Sequence, residues 1–217
     1  MNGAGVDRPA RAGTEALRIG VFGGSFDPPH NAHVSMAQAA IAQLSLNELR
    51  VVPTGVAWHK TRRLTAPEDR LAMTRLAFAD IAKVVIDDRE LRRAGPTFTM
   101  DTLTALLHEN QTAQLYLIMG SDQFAAFRQW HQWEAILEIA IICVAERAIN
   151  AGASGLFDSF TGQKSRFVSL TMPSSALSAT QVRQLYADKS TDGEDMSVLV
   201  PSAVARYISD HALYKVA

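Results

Sequence analysis

Short apolar runs alternating with stretches of helical periodicity restrict this chain more than any other feature of its sequence. The runs are Arg18–Phe22, Leu49–Pro53, Val84–Ile86, Leu115–Met119, Ile141–Ala145 and Phe167–Leu170. Between the first two, Val34, Ala37, Ile41 and Leu44 recur three or four residues apart, one face of a helix. Pro67 opens a helical stretch through Phe78, with Glu68 and Asp69 in its first turn, where the helix dipole favours acids. Met100, Leu103 and Leu107 line a further helix, Trp133–Ile139 another, and Ser178–Tyr186 and Pro201–His211 close the chain. Strands apolar on both faces must be covered on both. The pattern therefore predicts an α/β fold, a doubly wound Rossmann-like parallel sheet with helices on both faces and a small helical part over about 175–217. Residues 17–217 form one domain, residues 1–16 are expected to be a disordered lead-in, and the Gly-, Ser- and Ala-rich segment Asn150–Ser165 a surface loop.

In such sheets ligands sit beyond the carboxyl ends of the strands. Three polar clusters follow strand ends: Gly23–His33, Thr54–Lys60 and Gly120–Trp130. The first, Gly23-Gly24-Ser25-Phe26-Asp27-Pro28-Pro29-His30-Asn31-Ala32-His33, is the most specific. Two glycines after a strand let the backbone approach a ligand and adopt positive φ. A helix starting near Asn31 brings amide donors and a positive dipole end to the same spot, and His30 and His33, three apart, can point to one side. This combination suits a polyphosphate. It does not suit metal ligation, which needs histidines four apart, a glutamate between them and a third ligand; here Asn31 and Ala32 intervene. Neither GxGxxG nor a P-loop ending in GK[ST] is present. A second signal is Ser178-Ala179-Thr180-Gln181-Val182-Arg183, where Ser178 is a natural N-cap and Thr180 stands one turn ahead of Arg183. Alone it reads as a capped helix; paired with the first string it is a second phosphate cradle.

Composition narrows the partners. Twenty-one Lys and Arg against twenty-two Asp and Glu leave a formal charge of −1, with no basic excess to attract nucleic acid or anionic membrane. One cysteine excludes an intramolecular disulfide and a cysteine-rich zinc site and suits a reducing, cytoplasmic setting. No apolar run approaches the ~20 residues that span a bilayer. Homo-oligomerisation is left open.

GGSFDPPHNAH together with SATQVR resembles the nucleotidylyltransferase superfamily, whose marks are an (H/T)xGH loop after the first strand and an SxTxxR-type helix start. The stretches Pro53–Lys60, Asp88–Arg93, Pro96–Leu103 and Gly120–Phe124, with Trp130 and Leu213-Tyr214, are similar to bacterial-type nicotinate-nucleotide adenylyltransferases, in order from about Arg18 to Tyr214. Ala32 departs from the motif by replacing the glycine of HxGH, and its methyl group could crowd the nucleotide slightly.

The resemblance implies transfer of AMP from ATP to nicotinate mononucleotide in NAD biosynthesis, with Mg²⁺ riding mainly on the triphosphate and no protein metal site. It implies catalytic roles for His30, His33 and Arg183, with Gly23, Gly24, Ser25 and Phe26 forming the ATP loop. His33 would meet the α-phosphate and His30 the adjacent phosphates. Ser178, Thr180 and Arg183 would hold the β and γ phosphates, and Gly120 and Asp122 the ribose and adenine. His59 and Lys60 would take the mononucleotide phosphate, Trp130 would stack on the pyridine ring, and Thr99 would meet its carboxylate. Blander readings stand beside these. Trp130 and Trp133 at helical spacing also fit a core, Lys60 with Arg62 and Arg63 a solvated face, and Asp88–Arg93 surface ion pairs. His108 and His211 match no motif, and Cys143 in an apolar strand reads as an inert thiol. Nicotinamide mononucleotide or another phosphate acceptor remains an alternative substrate, and a non-catalytic nucleotide-binding module an alternative of another class.

Overall fold

The apolar runs form six parallel strands: β1 (Arg18–Gly24), β2 (Glu48–Pro53), β3 (Val84–Ile86), β4 (Gln114–Gly120), β5 (Ala140–Arg147) and β6 (Phe167–Met172). They pair in the order β3-β2-β1-β4-β5-β6. The computed structural model describes residues 16–55, 64–147, 157–160, 162–172, 177–188 and 196–215. Residues 1–15 of the expected lead-in, and half of the loop read over Asn150–Ser165, lie outside the described residues; in the described half Phe160 is buried in the core instead of lying on a surface loop, because its ring packs against Phe124 and Phe167.

The helices are α1 (Asn31–Gln43), α2 (Pro67–Phe78), α3 (Arg89–Arg92), α4 (Thr99–Glu109), α5 (Ser121–Ala125), α6 (Trp133–Ile139), α7 (Ala179–Ala187) and α8 (Ser202–Asp210). Two, α3 and α5, were not read from the sequence; at four and five residues they are too short to show a periodicity.

Alternation along the strands divides the core. Ile19 and Val21 of β1 join Leu103, Leu106, Ile136 and Leu137 of α4 and α6 on one face. Phe22 joins Ala37, Met73, Val182, Val204 and Ile208 on the other. The C-terminal helices α7 and α8 therefore pack on the same sheet face as α1 and α2. Gly20 of β1 lets Leu46 and Leu49 pack directly on the strand, because a methyl group there would meet their ends at 2.6 and 2.7 Å.

Strand β1 pairs with β2 on one side and β4 on the other, both in parallel. This is where the strand order reverses, so connections leave β1 and β4 toward opposite faces and a crevice opens at their carboxyl ends. Gly24 ends β1 and Gly120 ends β4, which places two of the three polar clusters at that crevice.

Burying a leucine side chain stabilises by about 1.5–3 kcal/mol, and truncation adds a cavity cost. Leu106 is fully buried, whereas Leu76 is 37% exposed. Leu106→Ala should therefore cost roughly 2–5 kcal/mol in chemical denaturation and Leu76→Ala less than about 0.5 kcal/mol; equal costs would mean that the α4 face of the sheet is not a packed core.

Candidate active site

The loop after β1 turns at Phe26, the first residue beyond the Gly-Gly-Ser segment. Its φ is 44°, a left-handed conformation that disfavours a bulky side chain by roughly 1–2 kcal/mol. Packing holds it there: Phe26 is 1% exposed and meets the rings of Phe22, His33 and Phe78 at 5.4, 5.1 and 5.9 Å. The positive φ expected of the glycines thus falls on Phe26, while Gly23 and Gly24 continue β1. Gly24 is needed for a different reason, since a Cβ there would sit 3.0 Å from the Phe26 ring. Around Gly23 a Cβ would meet nothing within 4 Å, so this stretch of backbone faces open space. The Phe26 side chain belongs to the core, which leaves its backbone as the part able to face a nucleotide.

The Asp27–Pro28 peptide is cis, and Asp27 itself is entirely buried. His30 follows as the N-cap of α1, with φ −140° and ψ 171°, and His33 is the third helical residue. The backbone N–H of His30 donates to His33 Nδ1 at 3.2 Å, which leaves the proton of a neutral His33 on Nε2. The two imidazoles stack with centroids 3.7 Å apart, so they do share one side of the helix start. The amide of Asn31, expected to face a phosphate, donates instead to the Leu199 carbonyl at 2.9 Å. That amide is therefore taken up within the chain.

His30 is 6% exposed, and burial lowers its pKa to about 4. Its Nδ1 is buried with no hydrogen-bond partner among the described residues. A buried polar atom without a partner is costly, and an anionic ligand that admitted water or a donor there would relieve it.

Ser178 is the N-cap of α7, with its Oγ accepting from the Gln181 amide at 3.3 Å and Gln181 Oε1 accepting from the Ser178 amide at 2.9 Å. This reciprocal capping box fixes the helix start. One turn on, Arg183 donates from Nη2 to Thr180 Oγ1 at 3.0 Å and from Nη1 to the Asp27 carbonyl at 2.7 Å. The two sequence motifs, 156 residues apart at that bond, thus form one wall.

A cavity of about 110 Å³ opens between the ends of β1 and β2 and the start of α4, reaching the loop after β1 at Ser25 but not lined by His30, His33, Ser178, Thr180 or Arg183. Gly23, Gly24, Ser25, Thr99 and Trp130 line it. Trp130 also packs edge-on against Phe127 at 5.7 Å, so it is both half-buried packing and cavity wall, whereas Trp133, equally half-buried, packs on Phe127 and Phe160 at the edge of the core. Gly120 and Asp122 flank the end of β4, with Asp122 exposed. His59 and Lys60 lie outside the described residues. Among the described residues no group of three His, Cys, Asp or Glu side chains could hold a metal ion.

Several residues here escaped the sequence reading. Arg70 of α2 is 2% exposed and donates to three backbone carbonyls, Ser25 at 2.9 Å, Thr54 at 2.8 Å and Thr65 at 3.1 Å. One guanidinium thereby ties the loop after β1 to the chain after β2 and before α2. The available signal was a cation on the stripe formed by Met73, Thr74 and Ala77. Glu90 also lines the cavity, and burial raises its carboxyl against the hydrogen bond donated by Thr102 at 2.7 Å. Gly55 passes so close that a Cβ would run into the Glu90 carbonyl. The segment Asp88–Arg93 is thus only partly surface ion pairs. Asp88 pairs with an exposed Arg92 at 2.8 Å, but Arg89 binds Asp87 and Glu109. Burial pushes the Asp87 carboxyl up, and the hydrogen bonds and charge of Arg89 outweigh this and hold it below the usual carboxylate range. His108 and His211 are exposed, and burial raises the Cys143 thiol to about 12, as for an inert cysteine.

Residues 21–185 match the cytidylyltransferase-like family. A protein of Albidiferax ferrireducens named "Probable nicotinate-nucleotide adenylyltransferase" is 52% identical over 92% of this chain and 99% of its own length. A Bordetella avium protein of the same name is 37% identical over 91% of this chain and 98% of its own. Among solved structures, Plasmodium falciparum nicotinic acid mononucleotide adenylyltransferase complexed with NaAD shares the fold, with a TM-score of 0.74 at 20% identity over 91% of this chain and 97% of that one.

The folded pKa of His30 lies below its ordinary value of 6.5, so the unfolded chain binds its proton first as pH falls. The stability from its neutral burial is complete above pH 6.5 and is lost as pH falls toward about 4, on the order of 3 kcal/mol. His30→Gln, which cannot titrate, should flatten the denaturation midpoint against pH across that window; an unchanged slope would place His30 in water.

Proposed function

The chain belongs to the cytidylyltransferase-like family and within it to the nicotinate-nucleotide adenylyltransferases, and from that membership we propose that it joins ATP to nicotinate mononucleotide, giving deamido-NAD and pyrophosphate. The observation that carries this reading is the bond from Arg183 to the Asp27 carbonyl, which makes one phosphate-binding wall of two helix starts.

An oxygen of the mononucleotide phosphate attacks the α-phosphorus of ATP in line. The bond from that phosphorus to the bridging oxygen breaks, and pyrophosphate leaves with the electron pair. No covalent enzyme intermediate is needed, so catalysis rests on placing the two anions together and stabilising the charge that shifts between them. His33, with its proton on Nε2, is the donor to the α-phosphate, where negative charge gathers in the transition state. Arg183 and Thr180 hold the departing pyrophosphate, with the guanidinium oriented beforehand by the Asp27 carbonyl. His30 starts neutral in its buried position, and a bound polyphosphate favours its protonation as the anionic partner it lacks.

The acceptor lies in the cavity, its pyridine ring against Trp130 and its carboxylate toward Thr99 at the start of α4, where the helix dipole favours an anion. Lys60 and His59 take its phosphate, and Gly120 and Asp122 meet the ribose and adenine of ATP. Imidazole, guanidinium and hydroxyl groups are poor ligands for Mg²⁺, and the Asp27 carboxylate faces Tyr214 and Thr65, so the described residues of the phosphate wall offer the ion no carboxylate cage. Mg²⁺ enters with the triphosphate as part of the substrate. No helix among the described residues is long and apolar enough to cross a membrane, and a cytoplasmic setting supplies both nucleotides.

Purified protein given ATP, Mg²⁺ and nicotinate mononucleotide should release pyrophosphate, with a higher kcat/KM than for nicotinamide mononucleotide. Absence of turnover with either would sink the transferase reading, and preference for the amide would overturn the acceptor alone. His33→Ala should lower kcat by about 10²–10³-fold and change the KM for ATP little, the pattern of an interaction made in the transition state. Equal losses in both would make His33 a plain binding residue.

A further inference from the structure

Asp27 stands between the two phosphate-binding motifs, and the chain's last aromatic residue reaches it. Its carboxylate, with no solvent exposure, accepts from the Tyr214 hydroxyl at 2.7 Å through Oδ1 and from the Thr65 amide at 3.3 Å through Oδ2. Its carbonyl accepts from Arg183 Nη1 at 2.7 Å. Tyr214 arrives there with φ 66°, a left-handed conformation that an aromatic residue rarely adopts, and its ring lies 6.4 Å from that of Tyr186 on α7. A strained backbone that delivers one hydroxyl to one buried carboxylate is built for that contact.

We infer that Tyr214 is a positioning residue for adenylyl transfer, setting through Asp27 where the Arg183 guanidinium meets the departing phosphates. The inference rests on the transferase reading above and names the part of the chain that aligns its phosphate wall. Without the Tyr214 hydroxyl, a buried carboxylate oxygen loses a short donor and must turn toward another. The same residue carries the carbonyl that orients Arg183, so a backbone shift that accompanies the re-pairing of the Asp27 carboxylate carries the guanidinium with it. Burial and the neighbouring Asp27 carboxylate push the Tyr214 hydroxyl well above its ordinary range, so it stays a donor at every working pH. Tyr214 touches neither substrate in this scheme, and its whole effect passes through Arg183.

That route makes the test a double-mutant cycle of Tyr214→Phe with Arg183→Lys, read on kcat and, by calorimetry without turnover, on the Kd of pyrophosphate. Tyr214→Phe keeps the ring and its packing. It should lower kcat about tenfold, weaken pyrophosphate by a similar factor and leave the KM for the mononucleotide within about twofold. In the Arg183→Lys background the same change should add less than about twofold, since the group it positions is gone. Effects that multiply in the double variant, or a Tyr214→Phe protein within about twofold of the parent on both readouts, would overturn the inference. A parent protein that turns over no mononucleotide would instead count against the transferase reading, and the pyrophosphate cycle would still decide the role of Tyr214.

Discussion

A carboxylate removed from water must be answered by donors, and the need of Asp27 for them organises this site. Thr65 reaches it from the chain before α2 and Tyr214 from the C-terminus. Its carbonyl, in turn, receives Arg183 from α7. Parts of the chain nearly two hundred residues apart thus converge on one residue of the loop after β1. Arg70 does the complementary work from beneath, with a buried cation that gathers three carbonyls of the same neighbourhood. The loop that carries His30 and His33 is therefore held from both sides, by an acid that collects donors and a base that collects acceptors. Preorganisation of this kind is what a reaction without a covalent intermediate requires, since positioning supplies most of its rate.

Charge follows the same logic. A net charge of −1 describes the whole chain and hides a local excess of donors. His30 and His33 stack at one helix start, and Arg183 is tied to Asp27 of the same loop, where partial burial strengthens the field of each donor. The low pKa of His30 fits this arrangement: burial keeps the imidazole neutral, and an anion beside it would favour its protonation.

Strands and long helices were legible because their signals are local and repeated. Pro67–Phe78, Val84–Ile86 and Trp133–Ile139 begin and end where periodicity and flanking residues place them. The helix starts at His30 and Ser178 were also legible, since a proline-containing loop after a strand and a hydroxyl before an apolar periodicity mark where a helix begins. Asp27 lay inside the motif without revealing its partners. Glu90 fell in a segment that also reads as surface ion pairs and Arg70 carried no reading, because burial is decided by what packs above a residue and not by its neighbours in sequence. Phe26 took the positive φ expected of a glycine because three rings hold it, a constraint with no trace in the local string. The Asn31 amide met Leu199 for the same kind of reason.

By itself the sequence determined the order of the strands and the longer helices, their burial on both sheet faces, and the two helix starts at His30 and Ser178, since each follows from side-chain types within a few turns of chain. Tertiary structure alone decided that these starts share a wall, that Asp27 and Arg70 anchor it, and that Tyr214 closes it. Those contacts join residues distant in the chain, and their geometry exists only once the sheet has brought its strand ends to one edge.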